Sequence, residues 1–228
     1  MQVLSKSSLP LGGFAGLREH RLVTDSRVFE GRKSPSTYEG LGCFVYLADA
    51  QFNPKGETGM HPHHEIDVIS VMVDGEVSHA GSLEHGKSLH AGEVQVQRAG
   101  GEGFSHNEVN PNDSKNRMIQ LWALPEQSGQ PAGYKHYVPA KNGVTRIYGG
   151  SIEQSETFDS QTVIDIVNLK SGEQFDIPKR ALTYLTKGEA IFKEAHEQQP
   201  VKDGDLIKSH NAKMTAIADS SFILIYQQ

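Results

Sequence analysis

Apolar residues between Gly40 and Trp122 come in short runs rather than in a helical stripe. The runs are CFVYL, IDVISVMV, EVSHAGSL, EVQVQ and RMIQLWAL, and they are separated by Gly, Asp, Asn and Pro. They recur about every eight to twelve residues and contain β-branched residues, which is typical of an antiparallel all-β sandwich or barrel. Asp74-Gly75 interrupts VMVDGEVSH as a two-residue hairpin turn would. This block predicts one compact β domain.

A second series of apolar runs extends from Thr162 to Tyr226, again with Gly- and Asp-containing turns between them. The segment between the two series is rich in Gly, Pro, Ser and Gln, as domain linkers often are. We therefore predict an all-β protein with two antiparallel β-barrel domains, residues 1–143 and 144–228. No segment carries a sustained helical stripe, so we expect few short helices, with SIEQSETF as one candidate.

The amino-acid composition argues against nucleic acids and membranes as partners. Lys and Arg number 22 against 28 Asp and Glu, which makes the formal net charge −6, whereas phosphate recognition normally uses clustered basic residues. No apolar run approaches the ~20 residues of a membrane span, and no apolar signal region is evident. We expect a cytoplasmic monomer without nucleic-acid or membrane partners. The single cysteine, Cys43, is expected to be a small buried side chain.

Two pairs of potential metal ligands lie in the first block. Residues two apart on a strand point to the same face, so His61 and His63 point together, and so do His106 and Glu108. On facing strands, the two pairs would bring three imidazoles and one carboxylate to one point. Such a set suits Fe(II), Mn(II), Ni(II), Cu(II) or Zn(II) and disfavours Ca(II) and Mg(II). The spacing predicts a metal site with positions left open for a chelating substrate or dioxygen.

Neighbouring residues have simpler interpretations. By alternation, His64 points away from His61 and His63 and is expected at the surface or behind the ligands. Asp67 is expected either to be buried or to hydrogen-bond a histidine. His79 and His85 follow a predicted hairpin turn and are expected in solvent, while Trp122 is expected in the core.

The segments HPHHEIDVISVMVDGEVSHAGSL, HAGEVQVQRAGGEGFSHNEVNP and IQLWALP resemble the amino-terminal domain of pirin and of the bacterial pirin-like bicupins. More loosely, ALTYLTKGEAIFKE and VKDGDLI are similar to the shorter carboxy-terminal cupin of bacterial members. The resemblance implies a bicupin whose first domain holds one non-haem metal, most often iron, through His61, His63, His106 and Glu108. The second domain offers His196 and His210 without a His-x-His pair, so we expect it to lack metal.

The resemblance also implies a function. Several bacterial members, and pirin itself, show quercetin 2,3-dioxygenase activity, in which dioxygen opens the central ring of a flavonol. For this chain it implies a small aromatic substrate and dioxygen as partners, with Glu108 as both ligand and candidate base. The alternative is an iron-binding regulatory or interaction protein without turnover, since pirin is also described in that role. A cupin that uses its metal for isomerisation, or for detoxifying a different small aromatic, is a third hypothesis.

Two departures from the family pattern bear on the substrate. The family usually has a basic or small residue after the second histidine of the first motif, whereas this chain has His64 followed by Glu65. The stretch from Gly92 to His106 also looks longer than the usual pattern, with GGEG at 100–103. We expect the insertion to move the rim of the pocket and to affect substrate choice more than metal binding.

Overall fold

A computed structural model describes residues 1–83, 86–178 and 180–228. The chain forms two compact units. The amino-terminal unit is Leu9–Val138, and the carboxy-terminal unit combines Met1–Ser8 with Pro139–Gln228. Strand β1, Gln2–Ser5, belongs to the carboxy-terminal unit, and a short 3-10 turn at Lys6–Ser8 follows it.

The amino-terminal unit contains the strands β2 Gly12–Phe14, β3 Leu17–Thr24, β4 Phe44–Phe52, β5 His61–His63, β6 Asp67–Asp74, β7 Glu76–Gly81, β8 Ser88–His90, β9 Val94–Arg98, β10 Phe104–Val109, β11 Arg117–Ala123 and β12 Gly133–Tyr137. They form a seven-stranded sheet in the order β12-β9-β6-β11-β4-β3-β2 and a four-stranded sheet in the order β5-β10-β7-β8. Residues of both sheets share one apolar core, which includes Phe52, Met72 and Met118 from the large sheet and Val77 and Leu89 from the small one.

The one α-helix of the described residues is a single turn, α1, Ser26–Phe29. Asp25 caps it, because its carboxylate accepts a hydrogen bond from the Arg27 backbone N–H at 2.9 Å. The turn directs Phe29 into a buried aromatic cluster with Tyr46 and the partly buried Trp122. A local cap therefore helps to position Phe29 in this cluster.

The carboxy-terminal unit adds to β1 the strands β13 Gly143–Gly150, β14 Ser160–Leu169, β15 Gln174–Asp176, β16 Ala181–Lys187, β17 Glu189–Glu194, β18 Glu197–Lys202, β19 Asp205–Ser209, β20 Lys213–Ala216 and β21 Ser220–Gln227. Their sheets have the orders β1-β19-β16-β21-β14-β13 and β15-β20-β17-β18. Both contribute to a core that includes Leu185, Phe192, Ile207, Met214 and Phe222. Each unit thus has a larger and a four-stranded antiparallel sheet.

The predicted all-β, antiparallel bicupin class with few short helices is confirmed. The described strands of each unit pair as two separate sheets rather than around one closed barrel, which is the double-sheet form of a jelly roll. The candidate helix SIEQSETF is wrong, because residues 151–158 form turns and bends.

The domain division differs from the prediction of 1–143 and 144–228. The two units divide between Val138 and Pro139, and Met1–Ser8 joins the carboxy-terminal unit. The reason is a long-range strand pairing, in which β1 runs antiparallel to β19 with Val3 opposite Ile207. Linker composition carries no signal for a pairing between residues at opposite ends of a chain.

Candidate metal centre

Strands β5 and β10 determine the centre of the site. They pair antiparallel with His61 opposite His106 and His63 opposite Phe104. Along β10 burial alternates, so Phe104, His106 and Glu108 are buried while the residues between them are partly exposed. The predicted same-face pairing of His61 with His63, and of His106 with Glu108, follows from this alternation.

Three imidazoles converge from these two strands. His106 Nε2 lies 3.0 Å from His61 Nε2 and 3.2 Å from His63 Nε2. The three histidines each offer a ligand atom, and these atoms all lie within 4.8 Å of one another. The structure therefore brings together three of the four predicted ligands.

The second nitrogen of two of these rings is already engaged. His61 Nδ1 donates to the backbone carbonyl of Gly59 at 2.9 Å, and His106 Nδ1 donates to the side-chain carbonyl of Gln97 at 3.1 Å. A carbonyl oxygen only accepts, so both Nδ1 atoms carry the proton and both Nε2 atoms carry a lone pair. Two lone pairs that face each other at 3.0 Å repel, and a cation between them converts the repulsion into coordination. This donor chemistry fits a metal ion.

Burial keeps two of the three imidazoles neutral. It lowers the pKa of His63 to about 4, with the nearby His61 adding to the shift. Burial is also the main cause that lowers the pKa of His106 to about 2, and the charges of His63, His61 and His79 add to the shift. At neutral pH these two imidazoles are uncharged, which is the state in which histidine binds a metal.

Glu108 lies in the same cavity but outside the group of mutually adjacent ligand atoms. Its Oε1 accepts hydrogen bonds from Ser70 Oγ at 3.1 Å and from Gln95 Nε2 at 3.3 Å. Burial raises the pKa of this carboxyl to about 7, and the hydrogen bond from Ser70 opposes part of that shift. The structure thus holds Glu108 close to the three histidines through neutral donors.

The cavity around these residues has a volume of about 180 Å³. One wall is an aromatic stack in which the ring of Tyr46 lies 4.3 Å from that of Trp122 and 5.5 Å from that of Phe29. Trp122 also meets the ring of His63 edge-on at 6.1 Å. The core position expected for Trp122 is therefore only partly correct, because this side chain faces the cavity.

Polar residues of β3 complete the lining. Buried Glu19 accepts from the Tyr46 hydroxyl at 2.8 Å and from Arg21 Nε at 2.7 Å. Burial, followed by the Glu19 carboxylate, raises the pKa of Tyr46 well above its usual value, so its hydroxyl stays a donor. These residues were not among the predicted site residues; the alternation of Glu19 and Arg21 in REHRLV was the available signal.

The other expectations have mixed outcomes. His64 is exposed, as expected, with its Nε2 3.1 Å from the Gly101 carbonyl. Asp67 is buried and lies 3.6 Å from Arg98 Nε. His79 is 2% exposed, so its expected solvent exposure is wrong; β7 pairs with β10 and carries His79 opposite Glu108. The expected exposure of His85 lies outside the described residues, and Cys43 is only partly buried.

The glycine loop before β10 approaches the site closely. Gly100 and Gly103 have φ of +54° and +71°, a region that favours glycine. A Cβ on Gly103 would lie 2.9 Å from the His63 carbonyl oxygen, and one on Gly100 would lie 1.9 Å from that of Gln130. The glycines are thus needed where the loop packs against the end of β5 and against the segment before β12.

A family model described as Pirin matches residues 27–123, which include all four predicted ligands. A protein of Arabidopsis thaliana named as pirin-like is 33% identical over 208 residues, covering 83% of this chain and 73% of that protein. The chain belongs to the pirin family. This pirin is also similar to the quercetin 2,3-dioxygenase of Escherichia coli K12, with 32% identity over 78 residues, or 34% of this chain and 33% of that protein.

Solved structures agree on the fold. The crystal structure of the bacterial pirin YhhW from Escherichia coli, in complex with nickel(II), has a TM-score of 0.81 and covers 98% of this pirin and 97% of that chain. Its 19% identity means that the likeness shows the fold alone. Among the described residues of this pirin, no helix is both long and apolar enough to cross a membrane.

Proposed function

We propose that this pirin binds one divalent transition metal through His61, His63 and His106, with Glu108 completing the ligand set. The observation that carries the proposal is the convergence of three Nε2 atoms, two of them with lone pairs imposed by Nδ1 contacts to carbonyl oxygens. The presence of nickel(II) in the related YhhW structure supports a divalent metal. Fe(II) is the ion that we favour from the family resemblance, and Mn(II), Ni(II), Cu(II) and Zn(II) suit the same donors.

We further propose that the protein is a dioxygenase that opens the central ring of a flavonol such as quercetin. When bound, the metal supplies a Lewis-acid centre that lowers the pKa of a coordinated hydroxyl and, for a redox-active ion, exchanges electrons with dioxygen. The name of the Escherichia coli relative supports the substrate class. The aromatic wall of Phe29, Tyr46 and Trp122 supports a planar aromatic ligand.

The size of the cavity, its aromatic wall and the Glu108 carboxylate each have a role in this proposal. The cavity of about 180 Å³ is smaller than the ~300 to 1,000 Å³ of common ligand pockets, so it takes one ring portion of the flavonol and leaves the rest at the mouth. The stacked side chains orient that portion and exclude water. Glu108 accepts the proton of the substrate hydroxyl, and Ser70 and Gln95 hold its carboxylate ready by donating to Oε1.

Aerobic turnover of quercetin tests the proposal. The near-visible absorption of quercetin is followed with metal-free protein and with protein loaded with Fe(II). Bleaching that depends on the metal is expected. A fully loaded sample that leaves quercetin unchanged would remove the dioxygenase and favour the alternative, a non-catalytic iron-binding regulatory or interaction protein.

Glu108→Gln is the matched variant for this assay. The amide keeps the size of the side chain and its acceptor oxygen but cannot take a proton. We expect it to retain part of the metal, because the three imidazoles remain, and to lose turnover by at least about 100-fold. A variant that turns over quercetin at the parent rate would show that Glu108 is not the base.

A further inference from the structure

A buried hydrogen-bond chain extends from His106 away from the cavity. His106 Nδ1 lies 3.1 Å from Gln97 Oε1, and Gln97 Nε2 lies 3.0 Å from His79 Nε2. Gln97 is fully buried and His79 is 2% exposed. The chain links three strands of two sheets, since His106 is on β10, Gln97 on β9 and His79 on β7.

The orientation of the Gln97 amide sets the polarity of this chain at both contacts. Gln97 Oε1 can only accept and Gln97 Nε2 can only donate. His106 must therefore donate from Nδ1, and His79 must accept at Nε2. With Nδ1 protonated, the neutral His106 ring presents its Nε2 lone pair to His61 and His63.

The orientation of the Gln97 amide decides which nitrogen of His106 is available. If the amide turned over, its NH₂ group would face Nδ1 and favour the other tautomer, with a proton on Nε2 where the metal would bind. The turned amide would also present its oxygen to His79 Nε2, and two buried acceptors would meet unless His79 changed its tautomer as well. The amide orientation and the tautomers of the two histidines are therefore coupled.

We propose that Gln97 and His79 are positioning residues for the metal centre, which hold His106 in the tautomer that presents Nε2 to the ion. The inference rests on the proposed metal site, since only a ligand at Nε2 gives the tautomer a function. A hydrogen-bond partner on the far nitrogen of a histidine ligand orients the ring and increases its basicity. Here the partner is a neutral amide, so it selects the tautomer without adding charge.

The first test needs no substitution and no metal. In the ¹⁵N-labelled, metal-free full-length chain near neutral pH, long-range ¹H–¹⁵N correlation distinguishes protonated from unprotonated ring nitrogens. We expect His106 to carry its proton on Nδ1 and His79 to have an unprotonated Nε2. A proton on His106 Nε2 would overturn the inference, whether or not the protein binds a metal.

The second test compares two glutamines of one strand. Gln97→Leu removes the acceptor for His106, whereas Gln95→Leu removes a donor to Glu108 and leaves the His106 contact intact. We expect Gln97→Leu to increase the Kd for Fe(II) or Ni(II) about 10- to 100-fold and to populate the Nε2–H tautomer. Gln95→Leu should leave the His106 tautomer unchanged. Gln97→Glu, which has an acceptor oxygen again, should keep the parent tautomer with the proton on Nδ1.

His79→Phe provides a milder variant that keeps an aromatic ring beside His106. It removes the acceptor that orients Gln97, and we expect a mixture of His106 tautomers with a smaller increase in Kd than for Gln97→Leu. Parent-like tautomers and parent-like Kd in both Gln97→Leu and His79→Phe would overturn the inference. Parent protein that shows the expected tautomer but binds no metal would instead remove the proposed metal site on which the inference rests.

Discussion

The contacts of the ring nitrogens distinguish the histidines of the candidate site from their neighbour His64. His61 and His106 have the same chemistry as His64, yet only the first two are oriented by carbonyl acceptors toward a common point. His64 lies one residue beyond β5 and is exposed. His63 and His64 are adjacent in the sequence, and alternation sends their side chains to opposite sides of the chain.

His63→Ala and His64→Ala form a matched pair at this scale. We expect His63→Ala to lose most bound metal, because it removes one of three converging nitrogens, and His64→Ala to keep the parent content. Elemental analysis after loading and desalting measures both. Parent-like metal in His63→Ala would contradict the proposed ligand set.

The Glu108 carboxyl predicts a pH dependence of stability in the metal-free protein. The folded protein raises the pKa of this carboxyl to about 7 from its ordinary value of 4.5, so the native state binds this proton more tightly than the unfolded state. The stabilisation that the protonated Glu108 carboxyl gives the folded state is fully present below about pH 4.5 and is lost as pH rises through about 7. The full loss in the free energy of unfolding is on the order of 3 kcal/mol.

Glu108→Gln isolates this contribution. The lowered pKa values of His63 and His106 act in the opposite direction, because neutral histidines stabilise the folded state increasingly as pH rises toward 6.5. Both proteins share those histidines, so the difference in their free energies of unfolding reports Glu108. In urea unfolding with a chelator present, the free energy of unfolding of the variant should rise relative to that of the parent between about pH 4.5 and 7. A difference in free energy that stays constant over this range would refute the raised pKa.

At the scale of elements, the loop between β9 and β10 controls how closely the two ligand strands approach. Gly103 has φ +71° and would place a Cβ 2.9 Å from the carbonyl oxygen of His63. Gly92, in the turn before β9, has φ +86° but nothing within 4 Å of such a Cβ. The two glycines thus share a backbone conformation and differ in their surroundings.

Gly103→Ala should therefore cost more stability than Gly92→Ala. We expect about 1 kcal/mol for Gly92→Ala from the positive φ alone, and about 2 to 3 kcal/mol for Gly103→Ala, which must also displace β5. Only Gly103→Ala should weaken metal binding, because His63 moves with its backbone. Equal effects of the two variants on thermal unfolding and metal content would show that the loop does not position His63.

For the whole molecule, the notable feature is that the first strand belongs to the carboxy-terminal unit. Val3 packs against the apolar core of that unit and pairs with Ile207. The proposed metal ligands all lie in the amino-terminal unit. Damage at β1 and damage at the metal centre should therefore be separable.

Val3→Asp tests this separation. A carboxylate against the core should destabilise the carboxy-terminal unit by about 2 kcal/mol, with faster hydrogen exchange in β19 and unchanged protection of β10. Metal content should equal that of the parent, and Ser5→Ala, on the same strand, serves as the control. Accelerated exchange in β10 together with loss of metal would contradict the assignment of β1.

Local sequence patterns were enough to predict the all-β class, the two antiparallel blocks, and the same-face placement of His61 with His63 and of His106 with Glu108. These features depend on alternation and on turn residues, which act over a few neighbouring positions. The same local pattern was enough to separate His64 from the other histidines. It also carried the family resemblance, since the motif residues lie close together in the chain.

The side chains that surround those histidines became known from the folded chain. The burial of His79, its link through Gln97 to His106, the cavity position of Trp122 and the pairing of β1 with β19 all depend on strand register between distant segments. Register is selected by the free energy of the whole packed core. For that reason a short window of sequence predicted the candidate ligands, while their surroundings required the complete fold.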